Sequence, residues 1–275
     1  MPDVSYESLL DERYQGAIAP LADSDVENNA VVQALLQHRS VRRYLDKPVP
    51  PAILQAAVAA AQSASSSSHL QAWSVIAVED AGRKERLAAF AGNQSHVASA
   101  PLLLVFIADL ARLRRIAKSS DMAGDGLDYL EAMVIGVVDA SLAAQNAVVA
   151  FEAMGLGACY IGAMRNQPEK VAEELGLPRE TFAVFGLTVG YPDPSAAAAV
   201  KPRLPQATVL HKERYEGTDE DLSSYDTRMR AFQASQGMDD IAWTQKTARR
   251  ITGKAALTGR DRLREALLGF GIELK

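Results

Sequence analysis

Four stretches of this sequence hold residues whose types and spacing suit chemistry. His38, Arg39, Ser40 and Arg42 follow an apolar helical pattern, and together they offer three cationic or potentially cationic side chains and a hydroxyl, a set that suits a phosphate group. A plain helix C-terminus, whose dipole favours cations, accounts for His38 and Arg39 equally well. Ser65-Ser66-Ser67-Ser68 joins a helix to a strand and supplies small hydroxyls and backbone amides, either to a ligand or merely to solvent. Gln94 and His96 precede a strongly apolar run, where a neutral amide can both donate to and accept from a heterocycle edge. Lys201-Pro202-Arg203-Leu204-Pro205 carries two cations on a proline-stiffened loop, with an ordinary surface loop as the alternative. Were these loops to converge, charge-assisted bonds of about 1.5–3 kcal/mol each would hold a phosphorylated cofactor without a glycine loop.

Common site patterns are missing. No Gly-x-x-x-x-Gly-Lys-Ser/Thr loop occurs, and Gly155-Leu156-Gly157 lacks the third glycine of a dinucleotide fingerprint and leads into a strand. His38, His69, His96 and His211 show no metal-ligand spacing, so no metal is expected, and no Gly-x-Ser-x-Gly elbow is present. Cys159 is the only cysteine among 275 residues, which excludes an internal disulfide framework and fits a reducing compartment. The net charge of −5 argues against a general nucleic-acid binder. The start Met1-Pro2-Asp3-Val4-Ser5 is acidic where an export signal would be basic, and the longest apolar run, Ala100 to Ala108, is too short to span a bilayer, so neither export nor a membrane span is expected.

The elements that must position these residues follow from periodicity. Residues 1–25 have no sustained period and read as an extension; residues 26–275 read as one domain with a helical C-terminal extension from about residue 219. Asp25 is placed to cap a helix running to Gln37, and Pro51 opens a second helix with Ile53, Ala56, Ala57 and Ala60 on one face. Strands are predicted at 73–78, 101–107, 158–161 and 182–189, with helices at 83–90 and 169–175 between them. A proline-free stretch from Tyr129 to Met154, apolar around most of its circumference, reads as a central helix that Gly155-Leu156-Gly157 ends. Three further helices are predicted near 221–236, 242–251 and 261–268.

Taken in order, several segments resemble the FMN-dependent nitroreductase family, most closely its NADPH-preferring oxygen-insensitive nitroreductase and flavin reductase branch. They include His38-Arg39-Ser40-Val41-Arg42, Ser65 to Gln71, Gln94-Ser95-His96-Val97-Ala98, Gly136-Val137-Val138-Asp139, Ala144-Gln145-Asn146-Ala147, Tyr160-Ile161-Gly162 and Lys201 to Pro205. The resemblance implies an α+β fold, with a central, largely antiparallel sheet flanked by helices, in an intertwined homodimer with FMN at the subunit interface. It assigns His38, Arg39, Ser40 and Arg42 to the phosphate and pyrimidine side of FMN, with Lys201 and Arg203 completing the cationic surround. Ser66, Ser67 and Ser68 would come from the other subunit, Gln94 would bond the flavin's polar region, and the backbone at Tyr160, Ile161, Gly162 and Ala163 would run beside the reactive edge of the ring. The implied activity is ping-pong, two-electron reduction of nitroaromatics, quinones or free flavin by NADPH or NADH in the cytoplasm. The flavin N5 is then the reacting centre, and no catalytic side chain is nominated.

Two departures from the family pattern carry expectations. Where the branch often has arginines available to a 2′-phosphate, this chain reads Gly237-Met238-Asp239-Asp240, so NADPH preference is expected to weaken, with Arg260 as a compensating candidate. Ala163 stands where glycine is common, adding a methyl near the ring. Two rival readings are a specialised enzyme of the same fold, performing dehalogenation or biosynthetic dehydrogenation, and a low-turnover FMN-binding sensor or storage protein.

Overall fold

The computed structural model describes residues 5–16, 29–196, 198–217 and 222–275. Much of the expected extension, the proposed cap Asp25 and the first predicted residue of the late helix at 221 lie outside them. The chain forms two compact units: residues 1–39 with 197–256, and residues 40–196 with 257–275.

In the larger unit, strands β1 (Trp73–Val78), β2 (Leu102–Asp109), β3 (Gly157–Ile161) and β4 (Thr181–Gly190) form a sheet ordered β1-β2-β4-β3. Every neighbouring pair is antiparallel. The two central strands are buried along their whole length, which explains their unbroken apolar character: both faces of the sheet are covered. Alternate residues serve opposite cores. Leu102, Leu104 and Phe106 join Ala140, Ala144 and Phe151 of the long helix Leu130–Ala153, while Leu103 and Val105 join Leu87, Val97 and Val171 on the other face.

The long helix lies very close to β2. A Cβ at Gly136 would sit 2.9 Å from the Cβ of Ala108, so only glycine permits that approach. The helix is long and apolar enough to cross a bilayer by composition, yet residues such as Ala140, Ala144 and Phe151 on one side are fully buried against the sheet. Its outer side leaves Leu130, Val134, Val138 and Leu142 exposed at four-residue intervals.

Asp139 sits on the buried side with 1% exposure. Its carboxylate accepts from Ser66 Oγ at 2.9 Å, Ser67 N at 3.1 Å and Ala72 N at 3.0 Å, fastening the serine loop to the long helix. A second polar knot surrounds Asp128, which accepts from Arg114 Nη2 at 2.6 Å and Lys275 Nζ at 2.8 Å. The Lys275 ammonium, then the Arg114 guanidinium, holds the Asp128 carboxyl below its ordinary value.

Two helices in this unit, Ser95–Ser99 and Leu110–Ser119, have no counterpart in the sequence reading. The second starts where the Asp109 side chain accepts from the Arg112 amide at 3.0 Å, directly after β2.

The smaller unit contains the helices Tyr6–Tyr14, Ala30–Leu36, Ser223–Ser235 and Trp243–Arg250. Asn29 caps the second of these, accepting from the Val31 and Val32 amides at 3.1 Å each. Tyr225, Met229 and Phe232 form a small core with Leu204 and Trp243. Asp226 receives Thr244 N at 3.0 Å and Thr244 Oγ1 at 2.5 Å, which fixes the start of the last helix.

Replacing Asp139 with Ala leaves three donors unpartnered, at about 1–3 kcal/mol apiece. Urea unfolding of Asp139→Ala is therefore expected to show a loss of at least ~3 kcal/mol, and a loss below 1 kcal/mol would contradict the anchoring role. Asp128 generates a pH prediction. A carboxyl held low in the folded state stabilises above the unfolded value of about 3.9, and that contribution fades as pH falls through the lower folded value. Thermal melts of Asp128→Asn should thus show a Tm deficit at pH 7 that closes in acid, as pH falls through the lowered folded value; a pH-independent deficit would refute the linkage.

Candidate functional site

In the smaller unit, Arg13 organises the basic residues. It is 5% exposed, and its guanidinium donates to the carbonyls of Leu36 at 2.6 Å, His38 at 2.9 Å and Lys201 at 3.2 Å. The Arg203 amide in turn donates to the Arg13 carbonyl at 3.1 Å. The predicted His38 and Lys201 loops therefore do converge, on a residue the sequence reading left inside an uninterpreted extension. Arg13 gave no local signal, because its partners stand 23, 25 and 188 positions away. Arg39 and Arg203 are exposed beside this knot, and Lys201 Nζ lies 5.9 Å from the centre of the Phe232 ring.

In the larger unit, Ser40 forms a bridge with Ala158, and the Val41 amide donates to the Ala158 carbonyl at 3.0 Å. Gly157 makes this possible: a Cβ there would fall 2.5 Å from Val41 Cγ2. The Tyr44 hydroxyl locks the segment by donating to the Val41 carbonyl at 2.6 Å, and burial pushes its pKa up. Val41 is buried while Arg42 is exposed, the alternation expected of an extended segment along an edge strand. Ser40 and Arg42 are thereby placed along β3, the strand that ends at Tyr160 and Ile161.

Tyr160 is partly exposed. Its ring meets Phe185 edge-on at 5.1 Å, its hydroxyl donates to Gln145 Oε1 at 3.3 Å, and burial raises its pKa. Ile161 is buried, and Gly162 opens the short turn Gly162–Arg165. Ala163, expected to add bulk near a ring, packs against the same buried cluster as Ile161. Arg165 follows, its guanidinium donating to the Val184 carbonyl and its pKa lowered by burial; the sequence reading did not single it out.

Ser66 donates its hydroxyl to Asp139 and accepts the Gln71 amide at 2.7 Å, so its first duty is internal. Ser67 and Ser68 are exposed, with Ser68 held at φ 47°. Gln94 donates to the Ala91 carbonyl at 2.9 Å. His96 has its Nε2 buried without a hydrogen-bond partner among the described residues, and burial, then the charge of Arg42, lowers its pKa. Arg42 and His96 therefore occupy one electrostatic neighbourhood. Arg260 donates to the Leu257 carbonyl at 3.1 Å, immediately after Gly259, which lies against the Asn166 carbonyl.

The smaller unit thus carries a set of cations about Arg13, and the larger unit carries Arg42, hydroxyls and amides along β3 and the serine loop. Cations and hydroxyls suit an anionic ligand.

Comparisons with known proteins give the family of the chain. The Nitroreductase family profile matches residues 35–191, and that of the Nitroreductase family C-terminal domain matches residues 201–275. The chain is 38% identical over 247 residues to an NADPH-flavin oxidoreductase of Vibrio harveyi, covering 89% of this chain and 98% of that one. It is 39% identical over 207 residues to an oxygen-insensitive NADPH nitroreductase of Salmonella typhimurium, covering 75% and 83%. Among solved structures, NfrA1 of B. megaterium superposes with a TM-score of 0.83 at 38% identity, covering 89% of this chain and all of the other. The NADPH:FMN oxidoreductase of Vibrio harveyi, solved with NAD+, gives 0.79 at 35% identity, covering 90% and 100%. The chain belongs to the nitroreductase family.

Proposed function

We propose that this protein is an FMN-dependent NAD(P)H oxidoreductase that reduces nitroaromatics, quinones or free flavin by two electrons. The observation that carries this reading is the convergence of His38 and Lys201 on Arg13, with Arg39 and Arg203 exposed beside it. FMN fits this surface. Its phosphate suits Arg39, Lys201 and Arg203; the family resemblance gives Arg42 of the larger unit to the same cofactor, where a cation favours the negative charge that grows on reduction. When bound, FMN supplies a carrier that takes two electrons from the dinucleotide and yields them to the acceptor. This chain's own residues bind and orient it. Ser40 and the extended segment at 40–42 hold Arg42 along β3, Gln94 presents an amide, and the backbone at 160–163 offers an edge of little bulk at Gly162. Protons come from solvent.

The homodimer belongs to the same reading. Leu130, Val134, Val138 and Leu142 form an exposed apolar stripe, and such a stripe on a rigid helix is suited to a second copy of the chain. Ser67 and Ser68 would then reach the partner's FMN. The buried free thiol of Cys159 suits a reducing compartment, and the reading places the enzyme in the cytoplasm.

Anaerobic stopped-flow mixing with NADPH or NADH tests the activity. Bleaching of the flavin band, restored by a quinone or nitroaromatic, is expected, and a yellow protein inert to both donors would overturn the reading in favour of a sensor. Arg42→Ala and Arg203→Ala should each weaken FMN binding by ~1–3 kcal/mol in a fluorescence titration, and unchanged affinity in both would remove the assignment of these residues to FMN. Val138→Asp places a charge on the apolar stripe and should shift the sedimentation coefficient towards the monomer with loss of FMN; an intact dimer would put the interface elsewhere.

A further inference from the structure

The two segments that supply the proposed phosphate site have no regular secondary structure of their own. Residues 38–39 follow the helix Ala30–Leu36, and residues 201–205 form a loop. Two side chains of the smaller unit hold their backbones. The Arg13 guanidinium donates to the carbonyls of Leu36 at 2.6 Å and His38 at 2.9 Å, at and just past the end of that helix, where intrahelical donors run out. The same guanidinium donates to the Lys201 carbonyl at 3.2 Å, and the Arg13 carbonyl accepts the Arg203 amide at 3.1 Å. Between these contacts, the buried Tyr225 hydroxyl donates to the Pro202 carbonyl at 3.2 Å. Lys201, Pro202 and Arg203 are thus pinned through their backbone, while the Arg39 and Arg203 side chains stay exposed.

Arg13 comes from the helix Tyr6–Tyr14, which is itself fastened. Ser5 caps it, accepting from the Ser8 amide at 3.2 Å. Leu9 and Leu10 are buried, and Arg13, four and three residues further on, shares their face. This helix precedes residue 35, where the family profile begins, and so lies outside both matched spans; Leu36, His38, Lys201 and Arg203 lie within them. The family match accounts for the cationic residues. It does not account for the side chain that holds their segments together.

We infer that the helix Tyr6–Tyr14 is a clasp on the cofactor's phosphate site, with Arg13 as the positioning residue that keeps FMN in place as a resident group. The inference rests on the oxidoreductase reading and deepens it. A phosphate is held tightly when its partners stand ready before it arrives, because loops that must be ordered by the ligand consume part of its binding energy. The planar fork of a guanidinium serves several carbonyls in fixed directions, which the single ammonium of lysine does not. Arg13 acts on the backbone of the phosphate segments, so its effect falls on the phosphate end of FMN and spares the ring.

The test titrates the full chain, stripped of flavin, with FMN and with riboflavin, which shares the ring and lacks the phosphate. The unaltered protein should bind FMN roughly a hundredfold more tightly, and Arg13→Met should narrow that ratio by about tenfold or more. The narrowing should come from FMN, with riboflavin affinity little changed. Arg13→Lys keeps the charge, loses the fork and should narrow the ratio as well. Release of FMN after dilution of the loaded variants, read as the recovery of free-flavin fluorescence, should be faster by a similar factor. A ratio preserved in both variants, or preserved in Arg13→Lys alone, would overturn the positioning role. Equal losses for both flavins, or failure of both variants to fold, would overturn it in favour of a role in folding only. Equal affinity of the unaltered protein for FMN and riboflavin would overturn the phosphate site and the clasp with it. Failure of the activity itself would appear separately, as bound flavin that neither donor bleaches while the binding ratios stand.

Discussion

A buried carboxylate constrains the larger unit more than any other single group. At 1% exposure, Asp139 is tolerated only because donors surround it. Those donors belong to Ser66, Ser67 and Ala72, so the intervening chain must fold back over the long helix. It does so with Ser68, His69 and Gln71 all at positive φ, a conformation costing non-glycine residues roughly 1–2 kcal/mol each. Hydrogen bonds to a charged acceptor, at about 1.5–3 kcal/mol each, offset that strain. The Ala72 carbonyl also accepts the Asp109 amide at 3.0 Å, so the same anchor helps fix where β1 begins against β2. The serine loop is thus a consequence of the core, and whatever it presents to a ligand is positioned by Asp139.

Arg13 plays the corresponding part in the smaller unit with the opposite sign. Its guanidinium donates to the Leu36, His38 and Lys201 carbonyls, so chain positions far apart in sequence are tied to one side chain. A guanidinium carries five N–H donors in a fixed fork, and carbonyls aimed at that fork hold their own loops in place. The Arg203 amide returns a bond to the Arg13 carbonyl, so the backbone beside Arg39, Lys201 and Arg203 is set by Arg13 as the serine loop is set by Asp139.

The sequence revealed what depends on local pattern. β2 and β4 were legible because burial on both faces demands an unbroken apolar run, and the long helix because it lacks proline and ends at Gly155. The helix Leu110–Ser119 was not, since β2 passes into it without a turn residue and its start depends on the Asp109 side chain. The smaller unit draws on residues 1–39 and 197–256, and no composition shift announces that two distant segments belong to one compact unit. At the site, the cationic types in the His38 and Lys201 segments were readable, but their convergence was not. It rests on a single arginine whose partners are up to 188 positions away. Ser66 shows the same limit: its hydroxyl looked available until Asp139, 73 positions on, claimed it.

The titratable groups of the larger unit that lie nearest the candidate site are pushed away from neutrality. Burial raises the Tyr160 hydroxyl, so it stays protonated, while burial and the charge of Arg42 lower His96, so it stays neutral. The Arg42 guanidinium is the charge felt by His96 there. Neither shifted group is moved towards neutral pH. This suits hydride transfer better than general acid–base catalysis, where a side chain must gain and lose a proton near the working pH. An arginine beside a ring that becomes anionic on reduction stabilises the reduced form without itself changing state, and solvent can then settle the protons.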